Sequence, residues 1–289
     1  MPRLLFCLTL LSLVSLSGQE KIEAPRPLSV VADRLQEAWA RPVTYEDPVW
    51  LWKGDLTTDK LGGKWPSYPK PRPAEVPKSA LANLNRSKDA AFATQIVEAT
   101  NRLSDGPTFQ VRTSTFGIHI VPLASANDSG RVAPVVPLLD RSIAILEEYR
   151  TPYEHLKALC KAITVSTGMR VVTDTGAIGP RFDQLFYGEE NPWSAWGIPL
   201  KPARDALIDL LSNSATTFSW RFNCQPASSP EDRFCVLGLV PLMVTRTDAA
   251  GDRVQTMIVF DRCERCPKRL PPPPRRRSET PERNTMPIP

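Results

Sequence analysis

The sequence predicts an α+β protein made of two small modules, each with about two helices packed on a short mixed or antiparallel sheet. Stripes of apolar residues at helical spacing alternate with short β-rich runs, and the same order of segments occurs twice. The last residues contain almost nothing apolar to bury. We therefore expect a first module over residues 18–125, a second over 132–261, and a disordered C-terminal tail over 262–289.

The first module begins with a helix predicted over residues 27–39, because Pro27 suits a first helical turn. A strand is expected over 42–47, a second helix after Ser87, and a hairpin over 109–121. The inward residues of the two helices are predicted to be Leu28, Val31, Leu35 and Trp39 in the first, and Phe92, Ile96, Ala99 and Leu103 in the second.

A proline-rich insertion occupies residues 62–78 of the first module. Proline donates no backbone hydrogen bond, which excludes a regular helix or a central strand for this segment. An extended loop with polyproline character is expected.

The second module repeats the order of the first. Thr151, Pro152 and Glu154 carry the signature of a capping box that starts a helix over 151–165, and Gly168 ends it. The other predicted elements are a strand over 169–174, a helix opening at Pro202 with Ala203, Leu207, Leu210 and Leu211 inward, strands over 217–223 and 234–242, and a last strand over 254–260.

Residues 1–17 have the layout of a secretory signal peptide, with Arg3, an apolar run and then small residues. The run is shorter than the roughly 20 residues that span a bilayer. A soluble mature protein is expected after cleavage, periplasmic or secreted and without an integral membrane segment. The formal net charge of +5 resides in the tail, so no nucleic-acid partner is indicated.

The cysteines fit an oxidising compartment. Cys224 and Cys235 stand at the two strand ends of a predicted hairpin and are the candidate disulfide. Cys160 falls on a helical apolar stripe, which predicts a buried free thiol. Cys263 and Cys266 have the spacing of a redox motif, but a proline and the tail follow them where such a motif opens a helix. Neither a metal nor a cofactor is expected.

The second module resembles the short domain found at the N terminus of secretins and of TonB-dependent signalling receptors (STN-like), and the first resembles it more loosely, as a divergent copy. The matching segments are 156–163, 168–173, 196–211, 218–222 and 235–240. The resemblance implies a non-catalytic periplasmic module that contacts other proteins, often by presenting a sheet edge. It implies the module type alone, without a receptor or secretin-subunit role.

Aromatic residues on polar, proline-rich loops are the candidate binding residues, and no catalytic set is assigned. They are Trp50, Trp52, Trp65, Tyr68, Tyr187, Trp193 and Trp196. Such rings stack on sugars or proline-rich peptides and are enriched at protein interfaces. The alternative is that the loops fold back over their own module and bury the rings.

Two functional hypotheses follow. The first is a non-catalytic periplasmic binding or scaffolding protein that holds an envelope protein. The second is an exported hydrolase or carbohydrate-active enzyme whose acids converge between the modules. Two carboxylates about 5–10 Å apart in an aromatic-lined cleft would favour the enzyme. Scattered acids and an exposed sheet edge would favour the binder.

Overall fold

The computed structural model describes residues 18–57, 68–81, 89–174, 183, 194–226, 232–247 and 253–257. It confirms the α+β class. The predicted signal peptide and tail lie outside the described residues.

The helices are α1 Pro27–Trp39, α2 Lys78–Leu81, α3 Asp89–Leu103, α4 Pro152–Thr167 and α5 Ala203–Ser212. The strands are β1 Gln19–Ala24, β2 Val43–Glu46, β3 Leu56–Thr57, β4 Tyr68–Pro69, β5 Arg72–Pro77, β6 Thr108–Thr113, β7 Ile118–Ala126, β8 Val132–Pro134, β9 Ser142–Arg150, β10 Arg170–Asp174, β11 Ser194–Pro202, β12 Phe218–Gln225, β13 Phe234–Pro241, β14 Met243–Thr247 and β15 Arg253–Met257.

The same topology occurs in both halves of the chain. The first half runs β1, α1, β2, β5, α3, β6 and β7, and the second runs β9, α4, β10, β11, α5, β12 and β13. The sequence predicted the helices and the last two strands of each half. It missed one two-stranded antiparallel ladder per half, β1 with β5 and β9 with β11.

The predicted loop over residues 62–78 needs a correction, because β4 and β5 lie within it. Strand β5 alternates inward Arg72, Ala74 and Val76 with half-buried Pro73 and Pro77. Its ladder has only two strands, so β5 is an edge strand. Proline is tolerated there, where a central strand would exclude it.

The helices of each half lie between the ladder and a second, three-stranded sheet. Helix α3 contacts both β5 and β6, and α4 contacts both β9 and β10. The predicted inward residues of α1 and α5 are buried, as is Cys160 on α4. For α3 the prediction is confirmed in part: Ile96 is buried and Phe92 packs against the core, but Leu103 is exposed. Ala93 and Val97 are buried on this helix as well. Alanine and valine at these positions allow α3 to approach the core closely.

The capping predictions for α4 are confirmed. Thr151 and Glu154 form the reciprocal capping box, and Gly168 closes the helix in the left-handed conformation with φ 69°. The described part of the predicted strand 254–260 belongs to β15, which pairs antiparallel with β14, and residues 258–260 lie outside the described residues. No described helix is long and apolar enough to cross a membrane.

The two three-stranded sheets join into one, which the sequence did not predict. The strand order is β10-β13-β12-β2-β7-β6, with β8 added beside β7. The joint is the parallel pair β12–β2, where Arg221 lies opposite Tyr45 and Phe222 opposite Glu46. Trp220 and Phe222 belong to the core of the second half, while Arg221 between them contacts α1 through Asp33. The helices of the two halves therefore cover opposite faces of the joined sheet.

Candidate functional site

Acidic residues of the two halves meet at the joint, where an acid–base pair could in principle form. Asp47 follows β2 and is almost fully buried. Its carboxylate accepts hydrogen bonds from Arg26 Nε at 2.6 Å, Tyr45 Oη at 2.6 Å, Trp50 Nε1 at 3.3 Å and the Cys224 amide at 2.9 Å. Both carboxylate oxygens are thus occupied by groups of the protein itself. Asp47 fixes the chain of the first half to β12.

Glu46, the preceding residue, points to the other face of the sheet and is also buried. Its carboxylate accepts hydrogen bonds from Arg204 Nη2 at 2.5 Å and from the Leu139 amide at 3.1 Å. Arg204 also donates to Asp140, which accepts a second hydrogen bond from Arg112. Burial raises the pKa of Glu46, against the lowering effect of Arg204. The convergent acids are held in an enclosed ion-pair network, which gives no support to their use as an open acid–base pair.

Two arginines cross the joint in opposite directions. Phe109 on β6 lies opposite Pro122, and Phe218 on β12 lies opposite Pro241; both prolines stand in a Val-Pro-Leu sequence. Arg112 and Arg221 each follow their phenylalanine by three residues, so the two arginines occupy equivalent positions. Arg112 reaches into the second half to Asp140 at 2.6 Å, and Arg221 reaches into the first half to Asp33 at 2.6 Å. The duplicated position therefore locks the two halves together on both faces of the sheet.

A serine and a histidine at the joint have the spacing of a nucleophile and its base. Ser114 Oγ and His119 Nε2 are 2.8 Å apart, and His119 Nδ1 faces the Thr44 hydroxyl at 2.9 Å. A hydroxyl provides no charge to stabilise an imidazolium, in contrast to the carboxylate of a catalytic triad. Burial, with help from nearby arginines, lowers the pKa of His119 to about 3. Ser114 Oγ also accepts hydrogen bonds from the Phe116 and Gly117 amides, so it stabilises the β6–β7 turn.

The second histidine does not join the first. His155 is buried on α4, where Nε2 lies 3.0 Å from the Ser194 carbonyl oxygen and burial lowers its pKa to about 4. Within the described residues, no three His, Cys, Asp or Glu side chains are grouped so that they could hold a metal ion.

The candidate aromatic residues do not assemble into one surface in the described part of the chain. Trp50 is 4% exposed and packs in the core of the second half, so its ring is not available to a ligand. Trp52, Tyr68 and Trp196 are half-buried. The remaining candidates, Trp65, Tyr187 and Trp193, lie outside the described residues.

Each of the half-buried rings has a place in the fold. Trp52 lies so close to Gly54 and Gly130 that a Cβ atom at either glycine would collide with its indole. Trp196 lies edge-on to His155, with ring centroids 5.2 Å apart. The interpretation that loops fold back over the rings fits Trp50 best, and the binding role of the others stays a prediction.

The cysteines behave as the sequence indicated where they are described. Cys224 and Cys235 form a disulfide and lie opposite each other in the β12–β13 register. Cys160 is a buried free thiol, and burial raises its pKa to about 12. A thiol that stays protonated is unreactive. Cys263 and Cys266 lie outside the described residues.

An apolar surface on the β9–β11 ladder was missed by the sequence reasoning. Its inward residues Ile143, Ile145 and Ile198 are buried against α4 and α5. Ala144, Leu146, Pro199 and Leu200 are exposed on its solvent side, and we call these four apolar residues the outer face. Ser142, Glu147 and Glu148 of β9 are exposed beside them. Leu146 is 81% exposed and Leu200 is 74% exposed. The signal that could have found it is the apolar run at 143–146, which exceeds what a half-buried strand needs.

The equivalent ladder in the first half has a different outer surface. Strand β1 turns Gln19, Lys21 and Glu23 to solvent, and β5 leaves Glu75 and its prolines half-buried on the same side. This surface carries charges of both signs. The fold is thus compatible with a polar ladder surface, so the apolar outer face is not a requirement of the topology.

No family model, curated protein or solved structure matches the chain, so the functional argument rests on its own residues.

Proposed function

We propose that the protein is a non-catalytic binding or scaffolding protein of the cell envelope that holds a protein partner on the outer face of the β9–β11 ladder. The observation that carries the proposal is the pair of leucines, Leu146 and Leu200, exposed together with Ala144 and Pro199 on the β9–β11 ladder. Contiguous exposed apolar side chains mark sites of protein association.

The free energy gained by burying these leucines favours a protein partner. Burying one exposed leucine side chain stabilises a complex by about 1.5–3 kcal/mol, so two can act as the anchors of an interface. Charged residues border the outer face at Glu147, Glu148 and Arg150, with an ion pair of 2.6 Å between Arg150 and Glu148. An apolar centre with a polar rim is the usual anatomy of an interface.

The ladder also offers a second kind of contact. Strands β9 and β11 each span nine residues, and among the described strands each pairs only with the other. Each therefore keeps one edge whose backbone groups can pair with an added strand of the partner. The STN-like resemblance of this half implies the same mode of contact.

Export is part of the proposal. The predicted signal peptide at 1–17 supplies the route, and the Cys224–Cys235 disulfide fits an oxidising compartment. The enzyme hypothesis has no comparable support, because Glu46 and Asp47 are enclosed by arginines and tied to the joint.

The test is capture of partners by the mature chain carrying Leu146→Glu and Leu200→Glu, compared with the wild type and with Val165→Glu. Val165 is 79% exposed but lies on α4, so it provides a matched control for added charge. Proteins bound by the wild type and by the Val165→Glu variant should be lost from the double variant, because charged side chains cannot be buried in an apolar interface.

A chain lacking residues 258–289 serves as a second control and should retain the same partners. An identical set of bound proteins for the wild type and the leucine double variant would refute the proposal. So would partners that disappear only with the tail.

A further inference from the structure

A cleft of about 570 Å³ lies between the two halves, away from the outer face. One wall is the end of α1 with Pro42 and the β6–β7 turn with Phe116. The opposite wall is the end of α5 with Ser212, followed by Thr217 and Leu242. The cleft is thus lined by a ring, a proline, aliphatic carbon and several hydroxyls.

Helix ends supply partial negative charge to the cleft, whose described lining contains no carboxylate. The carboxyl ends of two helices meet there, and such ends carry partial negative charge from their terminal carbonyl groups. Neither α1 nor α5 has a basic residue in its last turn to offset this charge. The one arginine in the lining, Arg41, is paired with Asp89 at 3.3 Å.

The chain leaves the described structure beside this cleft. Leu242 lines it, and the next residue, Met243, lies opposite Met257 in the β14–β15 register. Strand β14 also contacts α1. Met257, the last described residue, therefore lies one hairpin strand away from the cleft.

The sequence that follows has the complementary chemistry. It contains Lys268, Arg269, four prolines at 271–274 and three arginines at 275–277. Proline-rich segments dock on grooves lined by aromatic rings and prolines, and flanking arginines pair with negative charge. A chain of about 14 residues has a root-mean-square reach of roughly 20 Å, which allows residue 271 to return to the cleft.

We propose that residues 268–277 bind in the cleft of their own chain, with the prolines against Phe116 and Pro42 and the arginines toward the carboxyl ends of α1 and α5. A tether of this length raises the local concentration of the segment to the millimolar range, so even weak contacts keep it bound.

The proposal is tested by photo-crosslinking in the full mature chain, with p-benzoyl-phenylalanine replacing Thr115, an exposed residue of the cleft rim. The same replacement at Val165 gives the background from tethering alone. Peptide mapping by mass spectrometry should place crosslinks from position 115 within residues 268–277 of the same chain, about tenfold above those from position 165.

Charge reversal separates a specific contact from general attraction. The triple variant Arg275→Glu, Arg276→Glu and Arg277→Glu should lower the crosslink yield from position 115 about tenfold, because three positive charges that face the helix ends are replaced by negative ones. Arg283→Glu, outside the segment, should leave the yield unchanged.

Three outcomes would overturn the proposal. The first is crosslinks spread evenly over 258–289, and the second is equal yields from positions 115 and 165. The third is crosslinks found only between chains, which would show that the cleft binds the tail of a second copy.

Discussion

The ladders β1–β5 and β9–β11 occupy the same place in the repeated topology but present different chemistry to solvent. Both bury apolar side chains against two helices, among them Ile22 and Val76 in the first and Ile143 and Ile145 in the second. Outside, the first ladder carries residues of both charges, while the second exposes leucine, alanine and proline next to Glu147 and Glu148. The comparison separates what the fold requires from what it leaves open. Only the inward face is required, and the apolar outer face is the surface that we propose for a partner.

If both ladders belong to one cooperative body, the two halves unfold together and loss of a contact at the joint destabilises both. Removal of Arg204 tests this. Arg204→Ala leaves Glu46 buried without its counter-charge and removes one partner of Asp140. We expect the free energy of unfolding to fall by about 3–5 kcal/mol in urea denaturation. Arg34→Ala, which removes an exposed pair with Glu20, should cost less than about 1 kcal/mol. Two separate transitions in the wild type would show instead that the halves unfold independently.

The two hairpins next to the joint, β6–β7 and β12–β13, are closed by different means. A short turn after Ser114 closes β6–β7, whereas β12–β13 is closed by the Cys224–Cys235 disulfide. The double variant Cys224→Ser and Cys235→Ser should lower the free energy of unfolding by about 3 kcal/mol. Thermal or urea denaturation measures the loss. Equal stability of this variant and the wild type would mean that the bridge adds nothing to the hairpin.

Each half buries one histidine, and the free energy of unfolding at low pH should show which of the two contributes more to acid sensitivity. The pKa of His119 is about 3 in the folded protein and near 6.5 when unfolded. Below pH 6.5 the unfolded chain binds the proton first, so stability is full above 6.5 and is lost as the pH falls toward 3. The slope is about 1.4 kcal/mol per pH unit, or roughly 2–3 kcal/mol at pH 4.5.

His119→Gln should remove this part of the acid sensitivity, measured as the free energy of unfolding at pH 7 and pH 4.5. His155→Gln provides the comparison in the second half, where the folded pKa is about 4. A His119→Gln variant with the same pH dependence as the wild type would contradict the assignment.

The smallest expected change concerns the outer face itself. Leu146→Glu with Leu200→Glu should alter the free energy of unfolding by no more than about 0.5 kcal/mol, because both side chains are already exposed. Ile145→Glu, one residue away and inward, should destabilise by several kcal/mol. A loss above about 2 kcal/mol in the leucine double variant would show that the outer face is structural.

Much of the fold could be predicted because local spacing encodes it. The stripe Leu28, Val31, Leu35 and Trp39 and the capping box at Thr151 are each decided by neighbouring residues within a helix turn or two. The polar ladder strand β1 could not be found in this way, because Ile22 is its one buried residue. A single apolar side chain carries no period.

The candidate site was less accessible to sequence reasoning. Trp50 reads as a loop aromatic, yet it is drawn into the core because Asp47 accepts its indole hydrogen bond and Arg72 lies over its ring. The outer face was missed because exposure of Leu146 is decided by which side of β9 the helices cover. That side depends on α4, which follows β9 directly, and on β11 and α5, which lie about 50 or more positions further along the chain.

By itself the sequence determined the α+β class, the repeated order of helices and strands, and the Cys224–Cys235 pairing, since all three arise from spacing within short segments. Only the tertiary structure decided that the two sheets join through β12 and β2, that Glu46 and Asp47 are enclosed at this joint, and that the outer face stays exposed. These features depend on contacts between segments far apart in the chain, which no local pattern of residues records.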